Sequence, residues 1–245
     1  MTETPSNPSR TDHSFTAYLW ADRYFWLAAV LCLGLQFYPE TRWLLWPLRM
    51  LSTYMHELFH GLAALVSGGR FYEMMLFANG GGVAKIGTYG PLSSAFTSAG
   101  GLLGPAITGA IILFFARRLK LSRHLLRGIA LLLFVSVVVW VRDWHTAFWA
   151  AGFILVLTSV SILPWTGLIR VFTQYLGLQL SLENLMDFDY MFTESFTRSG
   201  TLLKSDTGKI AEVLGGSYLF WATLIAAITL SVIALALIKS RPDVV

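Results

Sequence analysis

Long apolar stretches separated by short polar breaks run through most of this chain. They occupy residues 24–38, 42–66, 92–116, 128–141, 147–163 and 215–238. A helix needs about 20 predominantly apolar residues to cross a bilayer, and most of these stretches approach or exceed that length. The pattern therefore predicts an all-α polytopic membrane protein with about six transmembrane helices.

Residues that commonly end a helix interrupt these stretches. Pro39 breaks the first one, and the glycines at 68–69 follow the second, where a helix C-terminus is expected. Residues 166–180 are also apolar, but they contain Arg170 and Gln174. Because ionisable groups are costly inside a bilayer, this segment is predicted to lie at the membrane interface.

Two short apolar runs between residues 70 and 89 differ from the helical stretches. Phe71–Phe77 and Val83–Ile86 flank the turn Asn79-Gly80-Gly81-Gly82. Apolar runs around a glycine turn are typical of a β-hairpin. Free strand edges are not tolerated in lipid, so we expect a short membrane-associated hairpin that packs on the membrane domain or lines a cavity.

The polar segments divide the chain into regions. Residues 117–127 are the densest basic segment and are predicted to form a cytoplasmic loop, since such loops carry an excess of Lys and Arg. Residues 181–208 are predicted to be a polar linker. The organisation expected is a disordered polar tail over 1–23, an integral membrane domain over 24–238 and a short basic tail over 239–245.

Composition supports a membrane protein and argues against other classes. Hydrophobic residues make up 55% of the 245 residues and charged residues 13%, against roughly 25% charged in an ordinary soluble domain. The net charge is +4, but the basic residues are not interleaved with aromatic residues on an exposed stripe, so nucleic acid is not expected as a partner. The single cysteine, Cys32, excludes an intramolecular disulfide.

One short motif carries recognisable chemistry: His56-Glu57-Leu58-Phe59-His60. Positions i and i+4 lie on one face of a helix, so the two histidines can bind one metal ion. Glu57 lies beside them, where its carboxylate can accept a proton from water. An ionisable cluster in an apolar helix is usually functional, which makes simple hydrogen bonding of the two imidazoles the less favoured interpretation.

Two histidines do not complete a catalytic zinc site, which normally has three protein ligands and one open position. No other histidine is suitably placed in the sequence, so an acidic third ligand is expected. The candidates are Asp143, Asp187, Asp189 and Asp206. Asp206 precedes a helix-like run and could be an ordinary N-cap. From the residues alone, Asp206 and the Asp187/Asp189 pair are equally favoured.

Several short motifs follow one another along the chain. In order they are His56-Glu57-Leu58-Phe59-His60-Gly61, Gly68-Gly69-Arg70, Asn79-Gly80-Gly81-Gly82-Val83, Ala99-Gly100-Gly101-Leu102-Leu103-Gly104-Pro105, Val141-Arg142-Asp143 and Ser205-Asp206. In this order they resemble the site-2 protease-type intramembrane zinc metalloproteases, and in particular a small bacterial branch of that family. The first motif is specific, whereas the others are informative through their order.

This resemblance implies a zinc-dependent intramembrane endopeptidase in the lipid bilayer. Its substrate would be a membrane protein, cleaved in or near a transmembrane segment. One Zn²⁺ per chain would be held by His56, His60 and Asp206, with Glu57 as the catalytic base. The resemblance also implies a multi-pass protein of the bacterial inner membrane.

Two further segments are candidates for supporting roles. The turn Asn79-Gly80-Gly81-Gly82 is a candidate substrate-binding element, because an extended peptide can add a strand to a hairpin edge. Arg142 and Asp143 are candidates for polar support of the site.

Two other functions fit parts of the pattern. A non-proteolytic membrane binding or scaffold protein could retain the metal site, and a zinc content near zero would favour this alternative. A metal or proton transporter could use the same histidines and aspartate. The chain has no recognisable internal repeat and no acids spread over several spans, which argues against a transporter.

Overall fold

The computed structural model describes residues 22–37, 39–186, 188–198 and 200–240. Most of the predicted N-terminal tail and the last five residues lie outside this part of the chain. The elements in chain order are α1 (Arg23–Phe37), a 3-10 turn (Pro39–Thr41), α2 (Arg42–Val66), β1 (Arg70–Leu76), β2 (Gly82–Gly87), α3 (Gly90–Phe115), α4 (Leu119–Trp140), α5 (Trp144–Ile162), α6 (Thr166–Met186), α7 (Phe188–Met191), β3 (Ser195–Arg198), β4 (Thr201–Lys204), α8 (Asp206–Leu214) and α9 (Tyr218–Lys239).

Four helices among the described residues are long and apolar enough to cross a membrane: α3, α4, α5 and α9. The outward faces of α4 and α5 carry large apolar side chains, including Leu131, Phe148 and Leu155, which are 62%, 67% and 68% exposed. Contiguous apolar surface of this kind is covered by lipid in a membrane protein. The predicted all-α polytopic membrane fold is confirmed, with four candidate spans among the described residues where about six were predicted.

The helices α2 and α6 are as long as the spans but lie inside the bundle. On α6, Gln174, Gln179 and Glu183 are buried, and the Gln179 amide donates a 2.6 Å hydrogen bond to Glu183 Oε2. Arg49 of α2 lies 3.4 Å from Glu183 Oε1. A charged side chain at the lipid-facing centre of a span costs about 3 kcal/mol, so the polar helices are stabilised in the interior. The segment over 166–180 that is predicted to lie at the membrane interface belongs to α6, and that position stays a prediction.

The helix α3 packs closely on α2 because glycines line their contact. Gly100 lies against the backbone carbonyl of Phe59 and the side chain of Ala63, and Gly104 lies against the Phe59 ring. An added Cβ at either glycine would collide with α2. Small residues at this spacing allow two membrane helices to approach closely, and the close approach brings α3 against the motif on α2.

The hairpin of β1 and β2 is antiparallel, as predicted. Phe71 of β1 stacks on Trp140 at the end of α4, with ring centroids 4.6 Å apart. Met74 and Leu76 are buried in the main core cluster. The strand therefore rests against the membrane domain, in agreement with the sequence prediction.

The predicted basic loop over 117–127 is mostly helical instead. The helix α4 begins at Leu119, because Leu, Lys and Arg are strong helix formers. Arg123 donates 2.8 Å hydrogen bonds to the backbone carbonyls of Ser161 and Leu163 at the end of α5. The Arg123 guanidinium thus supplies hydrogen bonds to the last carbonyls of a neighbouring helix.

The predicted linker over 181–208 is also wrong. The helix α6 continues to Met186, and α7 and an antiparallel hairpin of β3 and β4 follow. Gly200 adopts φ +80° at the turn of this second hairpin, a conformation that favours glycine. The strands are only four residues long, so their pattern was too short to distinguish from a loop.

Arg117 joins three parts of the chain at one side of the bundle. Its Nε lies 3.1 Å from Oδ2 of Asp22, just before α1, and its Nη1 donates to the carbonyl of Ser240, just after α9. The ends of α3 and α9 and the start of α1 therefore share a side.

Candidate metal centre

Three side chains from distant parts of the chain converge at one point. His56 Nε2 lies 3.0 Å from His60 Nε2, and Oδ2 of Asp206 lies 3.1 Å from the first nitrogen and 3.2 Å from the second. Among the described residues, the ligand atoms of these three side chains lie close enough to one another to hold a metal ion. His60 and Asp206 are buried, and His56 is partly buried.

The three ligand atoms fit the requirements of zinc. Zinc binds imidazole nitrogen and carboxylate oxygen at about 2.0–2.2 Å, which places tetrahedral ligand atoms about 3.3 Å apart. The observed separations of 3.0, 3.1 and 3.2 Å are slightly shorter. A small outward movement of the side chains is enough to admit the ion, and a nitrogen–nitrogen–oxygen set is a common zinc donor set.

A backbone contact orients His60 for metal binding. Nδ1 of His60 lies 2.8 Å from the carbonyl oxygen of Thr97 on α3. The carbonyl can only accept, so Nδ1 carries the proton and Nε2 presents its lone pair to the other ligands. Gly101, one turn further along α3, lies against the His60 ring, and an added Cβ there would collide with it. The close approach of α3 to α2 thus holds this imidazole in place.

Asp206 opens α8, but it is not the N-cap. Ser205 holds that position, and its hydroxyl accepts a 3.0 Å hydrogen bond from the backbone N–H of Gly208. The Ser205 N–H donates to the carbonyl of Glu194 at 3.0 Å, which ties the start of α8 to the base of the second hairpin. Because Ser205 caps the helix, the carboxylate of Asp206 remains available to the metal centre.

The carboxylate of Asp206 is 1% exposed and has further polar neighbours. Lys209 Nζ donates to Oδ1 at 3.1 Å, and the Tyr190 hydroxyl donates to Oδ2 at 3.0 Å. Burial raises the pKa of Asp206, but His60, hydrogen bonds with both histidines and Lys209 together lower that pKa well below its usual range. Beside the Lys209 ammonium a carboxyl group is ionised near neutral pH, which is the form that binds a metal.

Glu57 lies at the wall of a cavity that opens beside the histidines. The cavity has a volume of about 490 Å³. Its wall is formed by residues of α2, α3, α6, α7 and both hairpins: Trp46, Arg49, Ser52, Thr53, His56, Glu57, Asn79, Gly80, Gly81, Gly82, Leu102, Glu183, Tyr190, Met191, Phe196 and Thr197. The Glu57 side chain is 7% exposed and is therefore largely shielded, with access through this cavity.

The turn of the first hairpin is held over this cavity. Thr53 of α2 donates a 2.8 Å hydrogen bond to the carbonyl of Gly80, and the Asn79 side chain accepts from the N–H of Gly81 at 3.1 Å. Gly80 adopts φ +87°. Gly82 lies so close to Glu57 that an added Cβ would be 2.6 Å from Glu57 Cγ. The structure thus brings the predicted turn next to the predicted base.

Two of the predicted site residues, Arg142 and Asp143, form hydrogen bonds with the backbone between α4 and α5. Asp143 caps α5, since its Oδ1 accepts a 2.8 Å hydrogen bond from the N–H of Thr146. Arg142 donates to backbone carbonyls at the end of α4, including that of Val141 at 3.0 Å. Neither side chain has a described contact with the metal ligands, and their supporting role stays a prediction.

Asp187 and Asp189 are the other acidic candidates that the sequence favoured. Asp187 lies outside the described residues, and the structure describes the backbone but not the side chain of Asp189. Three residues at the centre were missed by sequence reasoning: Thr97, Tyr190 and Lys209. Only Lys209 carried a signal, because it lies three residues after Asp206 and can therefore meet it on one helix face.

The sequence profile of a family described as Peptidase M50B-like matches residues 25–236. The matched region includes both hairpins, all three candidate ligands and nearly all of α1 and α9. No curated protein and no solved structure is significantly similar to the chain.

Proposed function

We propose that this chain, which belongs to the Peptidase M50B-like family, is a zinc-dependent intramembrane endopeptidase. It would hydrolyse a peptide bond in or near a transmembrane segment of a membrane-protein substrate. The chain is an integral membrane protein of a peptidase family, and its proposed location is the bacterial inner membrane. The observation that carries the proposal is the convergence of His56, His60 and Asp206 next to Glu57 and an open cavity.

His56, His60 and Asp206 would hold one Zn²⁺ per chain. The fit rests on their separations, on the ionised carboxylate and on the hydrogen bond from His60 Nδ1 to Thr97, which leaves Nε2 free to bind. Zinc supplies Lewis acidity, which polarises a carbonyl and makes water a better nucleophile near neutral pH. With three protein ligands, the site would keep one coordination position open for the reaction.

Glu57 is the proposed general base. It follows His56 directly on α2, so its carboxylate extends from the adjacent position of the same helix into the cavity. In that place it accepts a proton from the attacking water and later returns it to the leaving amine.

The substrate would bind as an extended strand, because a helix hides its peptide bonds in internal hydrogen bonds. One edge of β1 is already occupied: Leu76 N–H donates to Thr146 Oγ1 at 2.7 Å, and Met74 forms a bridge with Val141. The other side of β1 pairs with β2. The remaining edge of the sheet is the outer edge of β2.

The outer edge of β2 starts beside the proposed base. The Phe77 N–H donates to Gly81 O, so these two residues are a hydrogen-bonded pair of the ladder. In an antiparallel ladder bonded and non-bonded pairs alternate, so the main-chain groups of Ala84 point away from β1. A substrate strand added there would run towards Gly82 and Glu57, which supports a substrate-binding role for the Asn79–Gly82 turn.

A comparison of membrane proteomes tests this proposal. Cells that contain the wild-type protein should accumulate a cleaved form of at least one membrane protein, and cells with the Glu57→Gln variant at equal abundance should accumulate its uncleaved form. Identical proteomes, combined with a zinc content near zero in the purified wild-type protein, would instead favour a non-proteolytic scaffold.

A further inference from the structure

Tyr190, on the short helix α7, contacts both sequence-distant parts of the metal centre. Its hydroxyl donates to Oδ2 of Asp206 at 3.0 Å. Its ring lies edge-on to the His56 ring, with centroids 6.2 Å apart and an interplanar angle of 77°. Tyr190 also lines the cavity beside Glu57. No sequence motif includes this residue, and it is not one of the three ligands.

We propose that Tyr190 is a positioning residue that holds Asp206 in its metal-binding orientation. The inference rests on the proposed function, because it takes Asp206 as the third ligand. Tyr190 would not be a ligand itself, and it would act on the metal only through the carboxylate to which it donates.

The hydrogen bonds to the carboxylate explain how this positioning works. A carboxylate oxygen has two lone pairs, so a hydrogen bond from Tyr190 to Oδ2 leaves one lone pair of that oxygen for the metal. Lys209 donates to the other oxygen, Oδ1, at 3.1 Å. Rotation of the carboxylate would break both contacts, so the oxygen that faces the histidines is fixed before the metal arrives. Such outer contacts are a general means of orienting a metal ligand.

The Tyr190 hydroxyl is suited to act as a permanent donor. A tyrosine hydroxyl ordinarily has a pKa of about 10 and is neutral at pH 7. The phenol therefore keeps its proton, and a neutral hydroxyl beside an ionised carboxylate forms a charge-assisted hydrogen bond.

The position of Tyr190 is itself set by neighbouring elements. The Thr207 hydroxyl, at the start of α8, donates a 2.9 Å hydrogen bond to the carbonyl of Met191. The Phe196 ring of β3 packs against the Tyr190 ring, with centroids 5.5 Å apart. The backbone next to Tyr190 is thus tied to the helix that carries Asp206, and its ring is supported by the second hairpin.

Zinc affinity of the purified full-length protein in detergent tests this inference without any substrate. The Zn²⁺ dissociation constant would be measured by competition with a chelator for the wild type and for Tyr190→Phe, which keeps the ring and removes the hydroxyl. Loss of an outer-shell contact typically weakens metal binding by about 10–100-fold, and we expect a loss in this range. The absorption spectrum of the Co²⁺-loaded variant should change as well, because the ligand geometry is altered.

Tyr54→Phe is the matched control. Tyr54 is a buried tyrosine on the same helix as His56, and its hydroxyl forms a 2.7 Å hydrogen bond with Ser136, outside the metal centre. Its loss should lower thermal stability but leave zinc affinity and the Co²⁺ spectrum unchanged.

The outcomes separate this inference from the proposed function. Wild-type zinc affinity in Tyr190→Phe, or an equal loss in both variants, would overturn the positioning role, and so would a wild-type protein that binds no zinc. A protein that binds zinc in a Tyr190-dependent manner but cleaves no substrate would support the positioning role and contradict the endopeptidase.

Discussion

Oδ2 of Asp206 lies 3.1 Å from Nε2 of His56, although 150 residues separate the two in the chain. The contact joins the middle of α2 to the first turn of α8. It exists because α3 packs on both helices and because Ser205 and Thr207 tie the start of α8 to the preceding segment. The proposed zinc site therefore depends on residues in both parts of the chain.

Replacement of Glu57 by Gln should abolish proteolysis without loss of zinc. The amide has almost the same shape but cannot act as a base, and loss of a general base typically costs about 10²–10⁴-fold in rate. Cleavage of a membrane-protein substrate in proteoliposomes and the zinc content of the purified variant would be measured together. Full activity in this variant would contradict the protease mechanism.

Asp206→Ala should reduce bound zinc to near zero, because two histidines alone leave the site with too few ligands. Asp143→Ala is the control: it removes an N-cap contact and should cost about 1 kcal/mol of stability with zinc retained. Metal analysis and thermal unfolding of both proteins decide this. We also expect Asp187→Ala and Asp189→Ala to retain zinc, and loss of metal in either would point to a different third ligand.

Gly101→Ala should impair zinc binding although glycine has no side chain to bind a metal. The new methyl group would collide with the His60 ring and displace its Nε2 from the other two ligands. Gly152→Ala is a suitable comparison, since an added Cβ there meets nothing within 4 Å. Chelator competition on both variants measures the effect, and equal zinc affinity in the two would show that the contact is not restrictive.

Ala84→Pro should reduce cleavage while zinc stays bound. Proline removes the N–H that points from β2 towards the proposed substrate strand, and it leaves the bonds between β1 and β2 in place. Ala84→Ser keeps that N–H and should cleave at nearly the wild-type rate. If the proline variant cleaved its substrate normally, strand addition at this edge would be excluded.

Local sequence patterns were sufficient to predict much of the fold and the part of the site that lies on α2. The apolar stretch over 42–66 matches α2 at both ends, and the glycine turn between residues 70 and 89 matches the first hairpin. The spacing of His56 and His60 determined that both rings share a helix face. These features depend on neighbours a few residues apart, so the sequence alone carries them.

Only the tertiary structure decided which distant residues contact these local elements. Sequence reasoning left Asp206 equal to other acids, because helix packing across 150 residues brings its carboxylate to the histidines, and its alternative role as N-cap was taken by Ser205. The interior position of α6 was decided by pairing of its polar side chains with distant partners. Tyr190 acquires its proposed role through one hydrogen bond that no spacing in the chain reveals.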